Sequence, residues 1–308
     1  MTKVIFFIPP GVHLLDLSGP VQAFLEAAQA TGLYEIGYCS LHKEMQDSSG
    51  LHFAKLQPYQ KVRLQKRDYL FIPGFSSSLL GQLDDLKQWK DVYAWVRQQA
   101  ENEVRICSIC SGAFILAAAG LLNRKKCTTH WSLIQRLKDS CPAADIKEDA
   151  LFTKDGNIYT SAGISSGIDL ALFILEENHG ARFAHRIARE LVVYSRRGAE
   201  HSQTSIYLSY RNHLHNGIHR LQDWLIDNLQ TSATIEKMAS LVNMSPRNLT
   251  RVFKGQTGIS IHQYITLLRL EKAAHLRHAP GITVSTIAGE CGFRNERQLQ
   301  RIWKQQTT

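Results

Sequence analysis

The sequence has few cysteines and no long hydrophobic run. Its six cysteines among 308 residues follow no regular spacing, which is typical of reduced cytoplasmic thiols rather than of a disulfide framework. The longest apolar stretch, AFILAAAGLL from Ala113, is much too short to span a membrane. Two prolines interrupt the apolar start, MTKVIFFIPP, which predicts a buried strand rather than a signal peptide. We therefore expect a cytoplasmic protein with no membrane segment.

Basic charge is concentrated in the last third of the chain. Residues 213–308 carry 12 Lys/Arg and 6 Asp/Glu, a net charge of +6, whereas the preceding 212 residues carry 24 and 21, a net charge of +3. A chain of this length favours two domains. The basic second domain indicates a polyanionic partner, although a solvated basic face without a partner is the common alternative.

The last third also contains a repeat at an offset of 50 residues. The segment SPRNLTRVFKGQT, from Ser245, matches NERQLQRIWKQQT, from Asn295, at six identical positions, and two further positions pair Val with Ile and Phe with Trp. In each copy Leu, Val or Ile, and Phe or Trp recur at i, i+3 and i+4, which is the spacing of one buried helix face. The arginines fall on the other faces, toward solvent or a partner.

A shorter helix and a tight turn precede each copy, which predicts two helix-turn-helix units. Asn243 and Gly292 occupy the two turns, and both residue types tolerate the left-handed backbone that a sharp turn requires. Ser245 followed by Pro246, and Asn295 in the second copy, are typical of helix starts. The alternative is a duplicated helical bundle that does not bind DNA.

The stretch RLQDWL…MASLVNMSPRNLTRVFKGQTGISIHQYITLLRLEKAAHL…TIAGECGFRNERQLQRIWK resembles the AraC/XylS-type DNA-binding domain. The resemblance implies that the later helix of each unit enters a major groove of double-stranded DNA, and that the two grooves are about 34 Å apart. It implies phosphate contacts from Lys254 and Lys304. A homodimer and a contact with RNA polymerase are further expectations from the family. The implied base contacts are Arg247, Thr250 and Arg251 in the first helix and Arg297, Gln298, Gln300 and Arg301 in the second.

Residues 1–195 alternate strand-like and helical runs, which predicts a flavodoxin-like, doubly wound parallel sheet covered by helices. Residues 196–212 are the predicted linker, and 213–308 are the predicted all-α domain with its two helix-turn-helix units. Ligands of such sheets bind at the carboxyl ends of the strands. The predicted strands are Val4–Ile8, Glu35–Cys39, Tyr69–Pro73, Val104–Ile109 and Ile158–Thr160, and the predicted helices are Gly19–Ala30, Asp84–Glu101, Ala113–Ala119, Trp131–Lys138 and Ser166–His179.

One predicted strand, VRICSI, runs directly into Cys110 and then into small residues and an apolar helix. This pattern is typical of an elbow that exposes a nucleophile at a helix N-terminus, where the helix dipole can lower a thiol pKa or hold an anion. A buried structural cysteine is an equally good interpretation. Cys107 and Cys110 also form a CxxC, but no second ligand pair accompanies it, and strand alternation would turn Cys107 away. We predict no metal and no cofactor.

The segments LLDLSGP, YLFIPGF, CSGAFILAAAGLL, TTHW and TSAGISSGIDLALFILEENHG together resemble the class I glutamine-amidotransferase-like (ThiJ/PfpI) superfamily. The similarity is greatest to isocyanide hydratases and to the sensor domains of AraC-type regulators. It implies that Cys110 holds the nucleophile position, Asp16 is its acidic neighbour, Gly74 belongs to an oxyanion-type cradle and His130 lies in the pocket wall. The full set of predicted ligand-binding residues is Asp16, Gly74, Phe75, Cys110, Ser111, His130 and Trp131.

Many members of that superfamily have a histidine directly after the nucleophile, whereas this chain has Ser111. No adjacent base is left to activate the thiol, and charges on both Asp16 and Cys110 would repel, so one of the two should hold a proton at neutral pH. We therefore predict a transcription regulator rather than an enzyme. Related regulators sense carnitine, betaine or arginine, which suggests a small nitrogen-containing metabolite here. The alternative function is a cysteine-dependent hydratase or hydrolase of the isocyanide-hydratase type.

Overall fold

The described residues of the computed structural model form two compact units, Met1–Gln203 and Thr204–Thr308. The described ranges are 1–81, 87–163, 165–193, 203, 206, 210–211, 213–231, 233–277 and 282–306. Most of the predicted linker, 196–212, lies outside them, so the boundaries at 195 and 213 stay predictions.

A seven-stranded sheet forms the centre of the first unit, in the order β10-β11-β7-β6-β1-β2-β5. Neighbouring strands are parallel except for the β10–β11 pair at one edge. All five predicted strands are present, with ends within two residues of the prediction. The strands of this sheet are β1 (Thr2–Ile8), β2 (Tyr34–Ser40), β5 (Gln57–Pro58), β6 (Tyr69–Ile72), β7 (Arg105–Ile109), β10 (Phe152–Asp155) and β11 (Ile158–Ser161). Strands β3 (Met45–Gln46) and β4 (His52–Phe53) form a separate pair, and β8 (Lys126–Cys127) and β9 (Asp145–Ile146) form another.

Helices cover both faces of this sheet, and a separate hydrophobic cluster fills each interface. The side chains of β1 alternate between the two clusters, with Ile5 and Phe7 in one and Phe6 and Ile8 in the other, as a strand buried on both faces requires. The helices of this unit are α1 (Leu14–Thr31), α2 (Ser77–Leu80), α3 (Lys87–Glu101), α4 (Ala113–Ala118), α5 (Ile134–Ser140), α6 (Ser165–His179) and α7 (Ala181–Glu190).

One predicted helix start was wrong, and another predicted helix begins at the expected residue with a different helix type. Helix α1 begins at Leu14 and continues through Gly19 and Pro20, where the prediction placed its start. Glycine suits this position inside the helix because α6 packs closely there: a Cβ on Gly19 would lie 2.8 Å from the side chain of Ile168. The predicted helix Trp131–Lys138 begins with a 3₁₀ turn at Trp131–Leu133, and α5 follows it.

The second unit is helical and contains two successive hydrophobic clusters. The predicted left-handed turns are confirmed, with φ of 55° at Asn243 and 75° at Gly292. Ser245 caps its helix as predicted by accepting from the Asn248 N–H at 3.3 Å, and Asn295 accepts from the Gln298 N–H at 3.0 Å. The helices are α8 (Asn216–Asp227), α9 (Ile235–Leu241), α10 (Pro246–Thr257), α11 (Ile261–Leu276), α12 (Val284–Glu290) and α13 (Glu296–Gln306).

The predicted fold class is therefore confirmed: a doubly wound α/β unit is followed by an all-α unit with two helix-turn-helix motifs. In the sequence, Pro280 and Gly281 predict the end of the amphipathic helix that links the two helix-turn-helix units, and both lie outside the described residues. No helix in the described part of the chain is both long and apolar enough to cross a membrane.

Candidate ligand pocket and DNA-binding faces

Cys110 lies at a sharp turn between a strand and a helix. Strand β7 ends at Ile109, a 3₁₀ turn covers Cys110–Gly112, and α4 follows. The backbone φ of Cys110 is 54°, a left-handed conformation that costs a non-glycine residue about 1–3 kcal/mol and is concentrated at functional sites. Gly112 permits the turn, because a Cβ there would lie 2.1 Å from the carbonyl oxygen of Ile72. The elbow geometry expected from the sequence is present.

The carboxyl group of Asp16 lies beside the Cys110 thiol, within 4.8 Å of it. Asp16 is completely buried in the first turn of α1. Two glycines make room for the pair. A Cβ on Gly74 would lie 2.2 Å from Asp16 Oδ2, and a Cβ on Gly163 would lie 2.9 Å from Cys110 Sγ. The close approach of Asp16 and Cys110 thus depends on the absence of side chains at both positions.

The Cys110 thiol is protonated at neutral pH. Burial raises the pKa of Cys110 to about 12, the negative charge of Asp16 contributes to the increase, and a hydrogen bond from the Ser111 main chain opposes it. A helix N-terminus can lower a thiol pKa, but burial and the charge of Asp16 outweigh that effect at Cys110. The expectation that one member of the Asp16–Cys110 pair holds a proton is thereby met by the thiol.

His13 is a pocket residue that the sequence analysis missed. Its Nδ1 lies 3.4 Å from Asp16 Oδ2, and its main-chain N–H donates to the carbonyl oxygen of Gly74 at 2.8 Å. Its position three residues before Asp16, one helical turn away, was the available signal. Donor atoms of His13, Asp16 and Cys110 lie within 4.8 Å of one another. These three could hold a metal ion only after the thiol loses its proton.

Ser111 and Phe75, both predicted to contact a ligand, bind each other. The Ser111 hydroxyl donates to the Phe75 carbonyl oxygen at 2.9 Å and accepts from the Phe75 N–H at 2.7 Å. The Phe75 ring is buried in the hydrophobic cluster shared with α3 and α4. These bonds attach the loop after β6 to the cysteine turn, and they occupy both main-chain polar groups of Phe75.

His130 and Trp131 differ in their surroundings. His130 is partly buried; burial lowers its pKa, the charge of Asp16 raises it, and His13 lowers it further. The effects of Asp16 and His13 on the pKa of His130 are consistent with a position of His130 in the pocket wall. Trp131 is 59% exposed, with its ring centroid 5.4 Å from that of His130. A ligand contact from Trp131 stays a prediction.

The loop before His130 connects the cysteine turn to Gln203. The Thr129 hydroxyl donates to the carbonyl oxygen of Cys110 at 2.8 Å. The side-chain amide nitrogen of Gln203 lies 2.9 Å from the Thr129 carbonyl oxygen and 3.1 Å from that of Ala150. Gln203 belongs to the predicted linker, and nothing in the sequence pattern singled it out.

Helix α10 presents the predicted first DNA-binding set on one exposed face, made of Arg247, Thr250, Arg251 and Lys254. The guanidinium of Arg251 donates to Asn248 Oδ1 at 2.9 Å. The Thr250 hydroxyl donates to the Pro246 carbonyl oxygen at 3.0 Å. The arginines point away from the buried face of Leu249 and Phe253, as the repeat spacing predicted.

Helix α13 presents a second basic face, and Arg294 belongs to it together with the predicted Arg297 and Arg301. Sequence analysis missed Arg294 because it precedes the helix cap. Gln298 already uses its side-chain oxygen to accept from the Arg294 N–H at 2.8 Å, and Gln300 donates to Glu296 at 2.8 Å. Adenine contacts by these glutamines would therefore require rearrangement. Lys304 is exposed near the end of the same helix.

Residues 2–177 match the DJ-1/PfpI family, and residues 238–308 match a helix-turn-helix domain. The first match covers more than half of the chain, so the protein belongs to the DJ-1/PfpI family, with a helix-turn-helix domain after the family domain. The predicted resemblance to a ThiJ/PfpI domain followed by an AraC-type domain is confirmed.

Relatives of two kinds are similar to this chain. The HTH-type transcriptional regulator GbdR of Pseudomonas aeruginosa is 26% identical over 214 residues, which cover 68% of this chain and 57% of GbdR. The isonitrile hydratase of Pseudomonas putida is 29% identical over 189 residues, which cover 60% of this chain and 76% of the hydratase. The chain thus spans little more than half the length of GbdR.

A solved structure supports the fold of the first unit. The crystal structure of an AraC family transcriptional regulator from Pseudomonas putida superposes with a TM-score of 0.54 at 17% identity. The superposition covers 62% of this chain and 100% of that chain.

Proposed function

We propose that the protein is a transcription regulator that binds double-stranded DNA through both helix-turn-helix units and senses a small metabolite in the Cys110 pocket. The observation that carries the DNA-binding part is the pair of exposed basic faces on α10 and α13, each of which follows a tight turn. Arginine binds guanine edges in a major groove, and lysine binds phosphate. The similarity to GbdR supports the same function.

The sensor part of the proposal is supported by the chemistry of the pocket. A thiol with a pKa of about 12 is a poor nucleophile at neutral pH. The buried Asp16 carboxyl group and the nearby His13 offer polar partners to a compact ligand. A nitrogen group that donates hydrogen bonds, or carries positive charge, complements an acidic residue at this position. We propose a nitrogen-containing metabolite for this reason.

The ligand must favour one conformation over another if it is to regulate DNA binding. We propose that the response leaves the pocket through Thr129 and Gln203, because Thr129 binds the Cys110 carbonyl group and Gln203 binds Thr129. A homodimer, a contact with RNA polymerase and a cytoplasmic location belong to the same proposal. Sedimentation of the full chain would test the dimer.

A cysteine-dependent hydratase is the second candidate, and two observations favour it: Asp16 lies next to Cys110, and an isonitrile hydratase is 29% identical over 189 residues. In that function Cys110 would have to lose its proton to a neighbouring group when substrate binds. The raised pKa of Cys110 opposes this function.

Selection of DNA from a randomised duplex library by the full chain tests the regulator. Enrichment of a defined sequence, with affinity that falls steeply as salt rises, would support it, and no enrichment would contradict it. Carnitine, glycine betaine and arginine would then be tested for thermal stabilisation of the wild type and of Asp16→Asn. Steady turnover of a simple alkyl isonitrile without DNA would favour the hydratase instead.

A further inference from the structure

The turn of the second helix-turn-helix unit packs against the segment between α8 and α9. Arg269, on the linking helix α11, donates through Nε and Nη2 to the carbonyl oxygen of Leu229, at 3.1 and 2.9 Å. Leu229 is buried in the hydrophobic cluster that also contains Leu249 and Phe253 of the first helix-turn-helix unit. A Cβ on Gly292 would lie only 2.3 Å from that same oxygen and 2.9 Å from Arg269 Nη2. Three segments therefore meet at one carbonyl group.

A second contact joins the residues next to Leu229 and close to Gly292 in the sequence. The side-chain amide of Gln230 donates to Glu290 Oε2 at 2.7 Å. Residues 229 and 230, between α8 and α9, are thus joined to Glu290 at the end of α12 and to Gly292 in the turn that follows it. We call the contact among Leu229, Arg269 and Gly292 the unit junction.

The repeat provides an internal comparison for Gly292. Its counterpart is Asn243, which adopts nearly the same left-handed conformation, with φ of 55° against 75°. Asparagine tolerates this conformation, so the backbone angle alone does not require glycine in either turn. Asn243 is exposed, whereas a Cβ at position 292 would collide with Leu229 and Arg269. The lack of space at the junction, rather than the left-handed backbone of the turn, requires glycine at position 292.

We propose that the unit junction is a positioning device that holds the reading helices α10 and α13 at one separation, so that the protein accepts one spacing between two half-sites on DNA. This proposal rests on the proposed function, in which both helices read DNA. Two linked binding elements gain affinity when their separation matches that of their sites, and the gain falls when the link becomes loose. Arg269 and Gly292 would then determine specificity without touching a base.

Reciprocal substitutions in the two turns test the proposal in the full chain. Gly292→Asn keeps a residue that tolerates the turn but inserts a side chain into the junction. Asn243→Gly is the matched control. We expect wild type and Asn243→Gly to select paired half-sites at one spacing from a randomised duplex library. Gly292→Asn should select the same half-sites at several spacings and lose about 10- to 100-fold in affinity for the wild-type pair.

Arg269→Gln provides an independent variant in case Gly292→Asn does not fold, and Arg220→Gln, an exposed arginine on α8, controls for loss of one positive charge. A single unchanged spacing and unchanged affinity for Arg269→Gln would overturn the proposal. Equal broadening by Asn243→Gly would also overturn it, because the effect would then come from any change in a turn.

A distance measurement without DNA separates this proposal from the proposed function. All six native cysteines are buried, so spin labels can be placed selectively at Gln256→Cys on α10 and Gln300→Cys on α13. We expect one narrow distance distribution in the wild-type background and a broad one with Arg269→Gln. Equal widths would overturn the junction even if DNA is bound, whereas failure to select DNA with a narrow distribution would overturn only the proposed function.

Discussion

The hydroxyl group of Ser111 hydrogen-bonds to both main-chain polar groups of Phe75. Ser111 directly follows Cys110, at the position where many ThiJ/PfpI proteins have a histidine, so the residue after the cysteine serves here to hold a neighbouring loop. That loop contains Gly74, whose missing side chain lets Asp16 approach Cys110. Ser111 thus stabilises the arrangement of the pocket without supplying a base.

Ser111→Ala should lower the free energy of unfolding by about 1–3 kcal/mol, because it leaves the buried N–H and carbonyl groups of Phe75 without their partner. Urea unfolding at neutral pH measures the change. Ser77→Ala, at an exposed serine of α2, is the control and should change stability by less than about 0.5 kcal/mol. Equal effects of the two substitutions would contradict a structural role for Ser111.

Alkylation of Cys110 by iodoacetamide should be very slow at neutral pH. Only the thiolate reacts, and the pKa of Cys110 is raised to about 12, so the rate should increase about tenfold for each pH unit between pH 7 and 10. Asp16→Asn removes a negative charge that raises this pKa and should accelerate alkylation at pH 8. Cys110→Ala is the blank, and the other five cysteines are buried.

A midpoint of alkylation well below the usual thiol value of about 8.5 would contradict this prediction. It would mean that Cys110 is already a thiolate at neutral pH, and the hydratase alternative would then gain support. An unchanged rate in Asp16→Asn would show instead that burial alone determines the pKa of Cys110.

Arg251→Ala and Lys254→Ala should weaken DNA binding in different ways. Loss of a base contact from Arg251 should cost about 1–3 kcal/mol and relax preference at one base pair, whereas loss of a phosphate contact from Lys254 should weaken all sequences alike and lower the salt slope by about 1. Binding to the selected duplex and to scrambled duplexes, at several salt concentrations, measures both. Identical behaviour of the two variants would contradict the base contact assigned to Arg251 and the phosphate contact assigned to Lys254. On α13, Arg301→Ala and Lys304→Ala give the same comparison.

The periodicity of apolar residues predicted most of the fold, because the burial of each helix or strand face determines that periodicity directly. The parallel strands of the first unit are buried on both faces and read as continuous apolar runs. The repeat placed Asn243 and Gly292 in their turns correctly. The predicted start of α1 was wrong because Gly19 and Pro20 are local signals for a helix boundary, whereas Gly19 here leaves room for Ile168 of α6 to pack against the middle of the helix.

The pocket was harder to predict because its residues come from distant segments. Cys110 and Asp16 were identified from motifs, but His13 has no signal beyond its spacing from Asp16. Cys107 and Cys110 belong to the same hydrophobic cluster, and the chain turns at Cys110 with φ of 54°. The separation of the two thiols that strand alternation suggested stays a prediction. Gln203 could not be identified at all, since its carbonyl partners lie more than fifty residues away in sequence.

Gln203→Ala should make the cysteine pocket less rigid. The Gln203 side chain binds the carbonyl oxygen of Thr129, and Thr129 binds the carbonyl oxygen of Cys110, so the substitution removes one support of the cysteine turn. A hydrogen bond contributes about 1 kcal/mol, which corresponds to about a fivefold change in an opening equilibrium. We therefore expect Cys110 to be alkylated about fivefold faster at pH 9 in Gln203→Ala than in wild type.

Gln22→Ala, at a glutamine on the surface of α1 that is bonded only locally to Glu26, should leave the rate unchanged. If both variants react at the wild-type rate, Gln203 attaches the linker to the sensor unit without influencing the pocket, and the proposed route from Thr129 to Gln203 is wrong.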